Sequence, residues 1–417
     1  MITRGLLADI LGHPKRVVES QINKGKLPSE TISADGREYF SLEQLKPLPA
    51  AGFLFSDEWH DFVQTEPQKE FTIIELFAGC GGLALGLEMA GFKSLLVNEL
   101  DKDACATLRN NRPEWNVVEG DVSDIDFKPY RGEVDLLTGG FPCQAFSYAG
   151  KKLGFEDTRG TLFYEFARAI NEIQPKVFLA ENVKGLVSHN KGKTLETITE
   201  VINELGYVLV SSDVLRAIFY RVPQKRERIF LVGVKKEFFD FVDYDLPPKF
   251  PGVFTMRDAL KAGKLFNEDV PLSDGQQYPD RKREIMEHVP EGGYWRDLPD
   301  ELQREYMKGS YFLGGGKTGI ARRLSWDEPS LTLVCSPAQG QTERCHPEET
   351  RPLTTREYAR IQTFPDTWEF SGPRNSIYKQ IGNAVPVNLG HAMGLSLVKL
   401  LNAIENIDYK KKIKRSR

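Results

Sequence analysis

The sequence predicts a doubly wound α/β fold on a mostly parallel sheet, with a smaller irregular domain after it and a small helical module before it. Three observations carry that reading. From Phe71 to Val234, short β-branched and aromatic runs alternate with amphipathic runs of helical length, the pattern of parallel strands joined by crossover helices. The first strand-to-helix joint is a glycine loop, Phe77-Ala-Gly79-Cys-Gly81-Gly82. Acidic side chains then stand at strand ends, the edge where open α/β sheets bind ligands.

Residues 1–50 read as a module of their own. Leu6, Leu7, Ile10 and Leu11 form one helical face stopped by Gly12, and Pro14 opens a second helix carrying Val17, Val18 and Ile22, ended at Gly25. An Asp35-Gly36 turn separates two β-type stretches ending in Tyr39-Phe40, and Ser41 with Gln44 forms a capping box for a third helix. This order resembles the winged helix-turn-helix modules of MerR-like regulators. A small packing domain with no nucleic-acid role fits the same residues. Residues 51–69 are expected to be a linker.

The α/β domain is expected over 70–246. Its strands are Phe71–Phe77, Lys93–Val97, Val117–Glu119, Val134–Leu137, Val177–Ala180, Tyr207–Val214 and Ile229–Val234, and its helices are Leu83–Ala90, Asp101–Asn110, Leu162–Ile173 and Thr194–Leu205. After about Leu246 the alternation gives way to Pro, Gly and charge, so 247–374 is expected to be a second domain. Residues 375–417, with a helix over Leu389–Leu401, are expected to return to the first.

Composition narrows the function classes. The 417 residues allow two or three domains at roughly 150 residues each. No stretch approaches 18 uninterrupted apolar residues, so no membrane partner is expected. Five scattered cysteines without a C-x-x-C pair argue against a disulfide framework or a metal site, and point to a reduced, cytoplasmic protein. The net charge of −4 means that a polyanion must meet a local field. Five basic residues crowd between Arg216 and Arg228 beside the single acid Glu227, and six more fill Lys410–Arg417, which reads as a frayed, solubilising tail.

The strand ends carry the chemistry. The Phe77–Gly82 loop lets backbone approach a ligand. Glu99 ends the second strand 18 residues beyond Gly81, where its carboxylate can accept from two ribose hydroxyls. Asp121 ends the third, placed to accept from an adenine amino group. An adenosine-containing cofactor satisfies all three, and NAD(H) and S-adenosylmethionine both qualify. The next strand end carries Gly139-Gly-Phe-Pro142-Cys143-Gln144, and its neighbour carries Glu181-Asn-Val183. A lone cysteine is usually a small buried hydrophobe. Here Pro142 stiffens the approach to Cys143, and a cysteine beside a glutamate makes a nucleophile and a general acid/base.

The Phe77–Gly82 loop, Pro142-Cys-Gln, Glu181-Asn-Val, Gln224-Lys-Arg226-Glu-Arg228 and Gln380-Ile-Gly-Asn383-Ala-Val385-Pro occur in that order. Together they resemble the DNA (cytosine-5) methyltransferases of bacterial restriction-modification systems, over roughly residues 71 to 395. The resemblance implies a Rossmann-like, S-adenosylmethionine-dependent methyltransferase fold, that cofactor, no metal, and duplex DNA as partner. It implies methylation of carbon 5 of a flipped-out cytosine in a specific sequence. Cys143 would add to carbon 6, Glu181 would hydrogen-bond or protonate ring N3, and Arg226 and Arg228 would surround the flipped nucleotide. Phe77, Gly79, Gly81, Gly82, Glu99, Leu100, Asp121, Val122, Leu162, Asn383 and Val385 would hold the cofactor, with Pro142 between it and Cys143. The protein would act as a monomer in the bacterial cytoplasm, associated with the nucleoid. It would protect host DNA from a cognate restriction endonuclease acting on the same site, without a stable complex.

The resemblance also makes 247–374 a target-recognition domain, with Arg322-Arg323 to Thr332 and Arg351 to Pro365 as its framework. The latter includes a helix with Tyr358 and Ile361 at core spacing and Thr354 or Thr355 as cap. Its arginines either tie the domains together or contact phosphate. There are two departures. Tyr220-Arg221-Val-Pro-Gln224 has arginine where the family commonly has glycine, and Arg216 replaces a usual asparagine; both are expected to add positive charge facing phosphate. Two other activities remain in view: cytosine-5 methylation of RNA, and DNA-binding regulation through residues 1–50. An NAD-linked oxidoreductase would leave Cys143, Glu181 and the paired arginines without a use.

Overall fold

The structure, a computed structural model, describes residues 2–32, 38–141, 161–315 and 317–415, with side chains as far as residue 407. The Asp35-Gly36 turn and the segment holding Pro142 and Cys143 lie outside the described residues.

The chain begins with α1 (Arg4–Leu11), α2 (Lys15–Asn23), the paired strands β1 (Thr31–Ile32) and β2 (Glu38–Tyr39), α3 (Leu42–Leu45) and α4 (Glu58–Phe62). Gly12 ends α1 in the left-handed region, and its N–H reaches the Ala8 and Asp9 carbonyls. The Ser41–Gln44 capping box is present. Leu6, Leu7, Ile10, Val18, Phe40 and Leu45 close a small core of their own. The stretch read as a linker is packed instead. Phe53 meets Phe219 edge-on with centroids 5.1 Å apart, and Trp59 meets Phe250 at 5.5 Å. Apolar surface of that size is held against the main core because leaving it in water would be costly.

The main body runs β3 (Phe71–Leu76), α5 (Gly82–Met89), β4 (Phe92–Glu99), α6 (Lys102–Asn111), β5 (Val117–Glu119), β6 (Leu136–Gly139), α7 (Leu162–Ile173), β7 (Val177–Val183), α8 (Lys193–Glu204), β8 (Tyr207–Arg216), β9 (Gln224–Lys225) and β10 (Glu227–Lys235). Seven strands form one sheet in the order β5-β4-β3-β6-β7-β10-β8. The five from β5 to β7 are parallel, and β10 runs antiparallel to both its neighbours. The reversal has a simple cause. A parallel return needs a crossover helix, and between β8 and β10 there is only a short 3-10 turn and β9. Leu83 and Leu87 of α5 cover one face of the sheet with Leu389, Met393 and Val398. Phe163, Phe166 and Ile170 of α7, with Ile198 and Val201 of α8, cover the other. The doubly wound expectation holds.

The rest of the chain contributes α9 (Lys236–Phe239), α10 (Met256–Leu260), α11 (Asp280–Glu287), α12 (Asp300–Met307), β11 (Ser330–Leu331), α13 (Thr355–Ile361), α14 (Arg374–Asn383) and α15 (Val387–Arg415). The returning helix is longer than anticipated and continues through most of the basic tail, whose Lys and Arg residues are good helix formers. Residues 374–407 are long and apolar enough to cross a bilayer, but 83% of the most apolar window is buried within the protein, as a core helix is. Backbone lies close on backbone where α15 crosses α5. A Cβ on Gly86 would stand 2.5 Å from the His391 nitrogen, so only glycine fits there.

Residues 247–374 divide between two cores. Met256, Leu260, Leu353, Tyr358, Ile361, Phe364 and Trp368 pack with Leu85, Val97 and Leu108 of the main body. Tyr278, Met286, Trp295, Leu298 and Met307 form a smaller cluster with Ala321 and Cys345. The arginines of the 351–365 stretch are structural. Arg351 pairs with Glu357 at 2.8 Å, Arg356 donates to the Pro365 and Trp368 carbonyls, and buried Arg360 pairs with Asp366. Thr354 is the helix cap.

Candidate active site

The carboxyl ends of β5, β4, β3, β6 and β7, adjacent in the sheet, open on one cavity of about 450 Å³. Strands spaced about 4.8 Å apart make this a trough of roughly 19 Å, long enough for an extended small molecule. Phe77, Gly79, Glu99, Leu100, Asp121, Val122, Leu162, Glu181, Asn383 and Val385 all line it. Gly81 and Gly82 do not. Gly81 starts α5 at φ 87° against Leu108 and Trp368, and a Cβ on Gly82 would stand 2.2 Å from the Val385 carbonyl oxygen. The missing side chains of these two glycines let α5 seat against its neighbours.

Glu99 is fixed before any ligand arrives. Its Oε2 accepts from the Gly79 N–H at 2.7 Å, and its Oε1 accepts from the Leu100 and Asp101 N–H groups at 2.9 and 2.8 Å. Oε2 is therefore the freer oxygen. Asp121 caps the short 3-10 turn after it, and the Ser123 N–H holds its carboxylate below the ordinary range. Leu100 is 68% exposed at the cavity wall, an apolar surface with no protein cover.

Glu181 closes the opposite end. It lies on β7 directly opposite Phe230 of β10, so Arg228, two residues earlier in β10, is its diagonal neighbour. Arg228 Nε reaches Glu181 Oε1 at 2.7 Å, with both side chains only 13% exposed. Burial pushes the Glu181 carboxyl up, while Arg228 and then Arg226 pull it down. A Cβ on Gly140 would come 3.0 Å from Glu181 Oε2, so the missing side chain leaves that oxygen room. Asn182 turns away into the protein and donates to the Phe141 carbonyl at 2.7 Å. It thereby anchors the chain one residue before Pro142.

The basic strip between Arg216 and Arg228 is consumed inside the protein, not presented to solvent. Arg226 is 1% exposed. It donates to the carbonyls of Leu333, Gly382 and Asn383, and burial pulls its pKa down to about 9. Lys225 sits between Asp9 of α1 at 2.8 Å and Glu328 at 3.1 Å, and Lys15 of α2 reaches the other Glu328 oxygen at 2.5 Å. Arg216 donates to the Asp9 carbonyl and covers the Phe219 ring. Arg221 lies over Phe250 and holds φ 58°, a glycine-like conformation that costs about 1–2 kcal/mol for other residues. The backbone thus keeps the conformation a glycine would take. Both departures from the expected motif face protein rather than phosphate, because the N-terminal module and the 249–254 segment cover them.

The lining also includes groups that the sequence reading passed over, chiefly Glu75, Asn98, Asp101, Gly140 and Lys379. Asp101, two residues beyond Glu99, was the legible one. Lys379 lies on α14 and bonds Asp101 at 3.0 Å, a pairing across 278 residues with no local signal. Five carboxyl side chains (Glu75, Glu99, Asp101, Asp121 and Glu181) line the trough. Lys379 pairs with Asp101, Arg228 pairs with Glu181 and burial raises the Glu75 carboxyl, so the trough's net negative charge rests on Glu99 and Asp121. Among the described residues no cluster of His, Cys, Asp and Glu has the makings of a metal site.

Comparison with known proteins agrees with this geometry. The sequence model of the C-5 cytosine-specific DNA methylase family matches residues 71–399. The chain is 62% identical to the type II methyltransferase M.Eco47II of Escherichia coli over 95% of both chains. It is 59% identical to M.PspPI of Psychrobacter sp. strain TA137, over 95% of this chain and 96% of that one. A solved structure described as a DNA modification methyltransferase encoded within an E. coli prophage superposes with a TM-score of 0.58 at 27% identity, over 80% of this chain and all of the other. The chain belongs to the C-5 cytosine-specific DNA methylase family and is a DNA (cytosine-5-)-methyltransferase.

Proposed function

We propose that the chain methylates carbon 5 of a cytosine turned out of duplex DNA, with S-adenosylmethionine as methyl donor and Cys143 as nucleophile. The observation that carries this reading is the Glu181–Arg228 pair at one end of an anionic trough whose other end holds Glu99 and Asp121. The negative charge of Glu99 and Asp121 would repel a dinucleotide pyrophosphate, whereas it suits a ligand with a cationic sulfur and a cationic amine. Glu99 is proposed to take the ribose hydroxyls through Oε2, Asp121 the adenine amino group, and Leu100 and Val122 the faces of the ring. Phe77, Gly79, Leu162, Asn383 and Val385 complete the enclosure. Bound there, the cofactor supplies an electrophilic methyl group.

The protein's own groups do the rest. Glu181 offers a proton to ring N3, which withdraws electrons from carbon 6. Cys143, two residues beyond the Phe141 carbonyl that Asn182 anchors, adds there as thiolate and leaves carbon 5 nucleophilic. After transfer the carbon 5 proton passes to solvent water, the pair of electrons released expels the thiolate, and N3 returns its proton to Glu181. Arg228 orients the Glu181 carboxyl. Arg226, spent on three carbonyls, acts as a positioning residue that ties β9 to the Asn383 segment. Cys143→Ser is expected to abolish transfer of labelled methyl from S-adenosylmethionine into duplex DNA while cofactor binding persists. Duplex carrying 5-fluorocytosine is expected to trap a covalent adduct, since no proton can leave. Retained methylation by the serine variant would overturn the mechanism, and labelling of RNA but not DNA would overturn the substrate.

In the cell this activity is proposed to mark host DNA against a cognate restriction endonuclease, the protein working as a cytoplasmic monomer. The small cluster around Trp295 and Met307 is proposed to be the part that reads the target. The N-terminal module is proposed to add DNA contacts. A hollow on the exposed side of α2 is lined by Arg16, Lys24 and Lys26, with Ser20 and Gln21 between them and no carboxylate in its wall. Reversing Arg16 and Lys24 to glutamate in the full chain should weaken DNA binding uniformly across sequences. It should also reduce the salt slope by about one for each phosphate no longer neutralised. An unchanged slope would leave the module a purely structural role.

A further inference from the structure

Glu75 sits in the middle of the sheet, where a carboxyl is costly. It is 2% exposed on β3, in register with Val97 of β4 and Thr138 of β6. Thr138 Oγ1 donates to its Oε2 at 3.4 Å, and the Ala84 N–H in the first turn of α5 also bonds it. The charged groups that reach it are Glu181 from β7 and Glu99 from β4, both of its own sign. The nearby cations are engaged elsewhere: Arg228 with Glu181, Arg226 with three backbone carbonyls, and Lys379 with Asp101. Asp121 lies two strands away, at the end of β5. Glu75 nevertheless lines the trough. Burial pushes its pKa up to about 8, so near neutral pH it carries a proton.

Topology places it relative to the reaction. The trough runs from Asp121 beyond β5 to Glu181 on β7, and β3 and β6 lie between. If the base is held beside Glu181, the atom that gives up the methyl group must lie near that end, over the β3–β6 pair that carries Glu75 and Thr138. That atom is a cationic sulfonium in S-adenosylmethionine and a neutral thioether in S-adenosylhomocysteine.

Resting on the cofactor reading above, we propose that Glu75 is the counter-charge of the methyl donor. Its carboxyl proton passes to solvent when the sulfonium occupies the trough and returns from solvent once the methyl group, and with it the positive charge, has left. Glu75 would then distinguish substrate cofactor from product cofactor by charge alone, and methyl transfer would itself remove the attraction that held the donor.

The test is titration calorimetry of the full-length protein near neutral pH, in two buffers of different ionisation enthalpy. Binding of S-adenosylmethionine should release about one proton more than binding of S-adenosylhomocysteine. The affinity ratio of the two should rise with pH by up to about tenfold per unit. In Glu75→Gln, which keeps an oxygen for the Ala84 N–H, both differences should vanish. Glu181→Gln separates the two buried carboxyls, and it should leave the difference in place. Equal proton release by the two cofactors in the unmodified protein, or loss of the difference in Glu181→Gln, would overturn the assignment. Failure of the unmodified protein to bind S-adenosylmethionine at all would instead overturn the cofactor reading.

Discussion

Glu181→Gln should lower the turnover of methyl transfer by about 10²- to 10⁴-fold, the usual contribution of a positioned general acid. The substitution is nearly isosteric, so the neighbours of Glu181 stay in place, but an amide has no acidic proton to share with ring N3. The pH profile adds a second signature. Glu181 is raised by burial and lowered by Arg228 and Arg226, which makes its protonation responsive to small changes in the site. A carboxyl that must be protonated loses activity as pH rises through its pKa in the enzyme–DNA complex. The descending limb of the unmodified enzyme should therefore be absent from the residual activity of the glutamine variant. Retention of full activity, or of the same limb, would remove Glu181 from the chemistry. The measurement is initial-rate transfer of labelled methyl into duplex DNA at saturating cofactor, across a pH series.

What could be read from the residues follows from how local the signal is. Strands alternating with helices defined the parallel sheet, and the stretch without a helix between β8 and β10 held the reason for the single reversed strand. Strand ends collect ligands because of topology, so Glu99, Asp121 and Glu181 were legible at once. Gly81 and Gly82 do not line the cavity, and a glycine serves a close helix contact and a ligand approach equally well, so nothing local separates the two. The basic strip misled for a different reason. Its partners, Asp9 and Glu328, lie more than a hundred residues away on either side of it, and only the fold brings them to Lys225. Glu75 was invisible because Phe71-Thr-Ile-Ile-Glu-Leu76 reads as an ordinary buried strand. Its carboxyl gains meaning only from the cavity it lines.

Arg226 and Arg228 stand two residues apart, and their substitutions should fail in different ways. Arg226→Met removes a guanidinium that satisfies three carbonyls in a site closed to water. Each carbonyl left without a donor costs about 1–3 kcal/mol, and breaking a buried charged contact of this kind typically costs about 3–5 kcal/mol in all. The denaturant midpoint should fall accordingly with the m-value unchanged. Because Asn383 lines the trough proposed to hold the cofactor, the affinity for S-adenosylmethionine should fall as well. Arg228→Met removes the partner of Glu181, which escapes the burial of a bare charge by taking up a proton. Its stability cost should therefore be small. With that cation gone the Glu181 pKa rises further, so the descending limb of activity should move to higher pH while the maximal rate falls through loss of orientation. Equal stability losses in the two variants, or a limb that stays in place in Arg228→Met, would show that the pair is structural throughout.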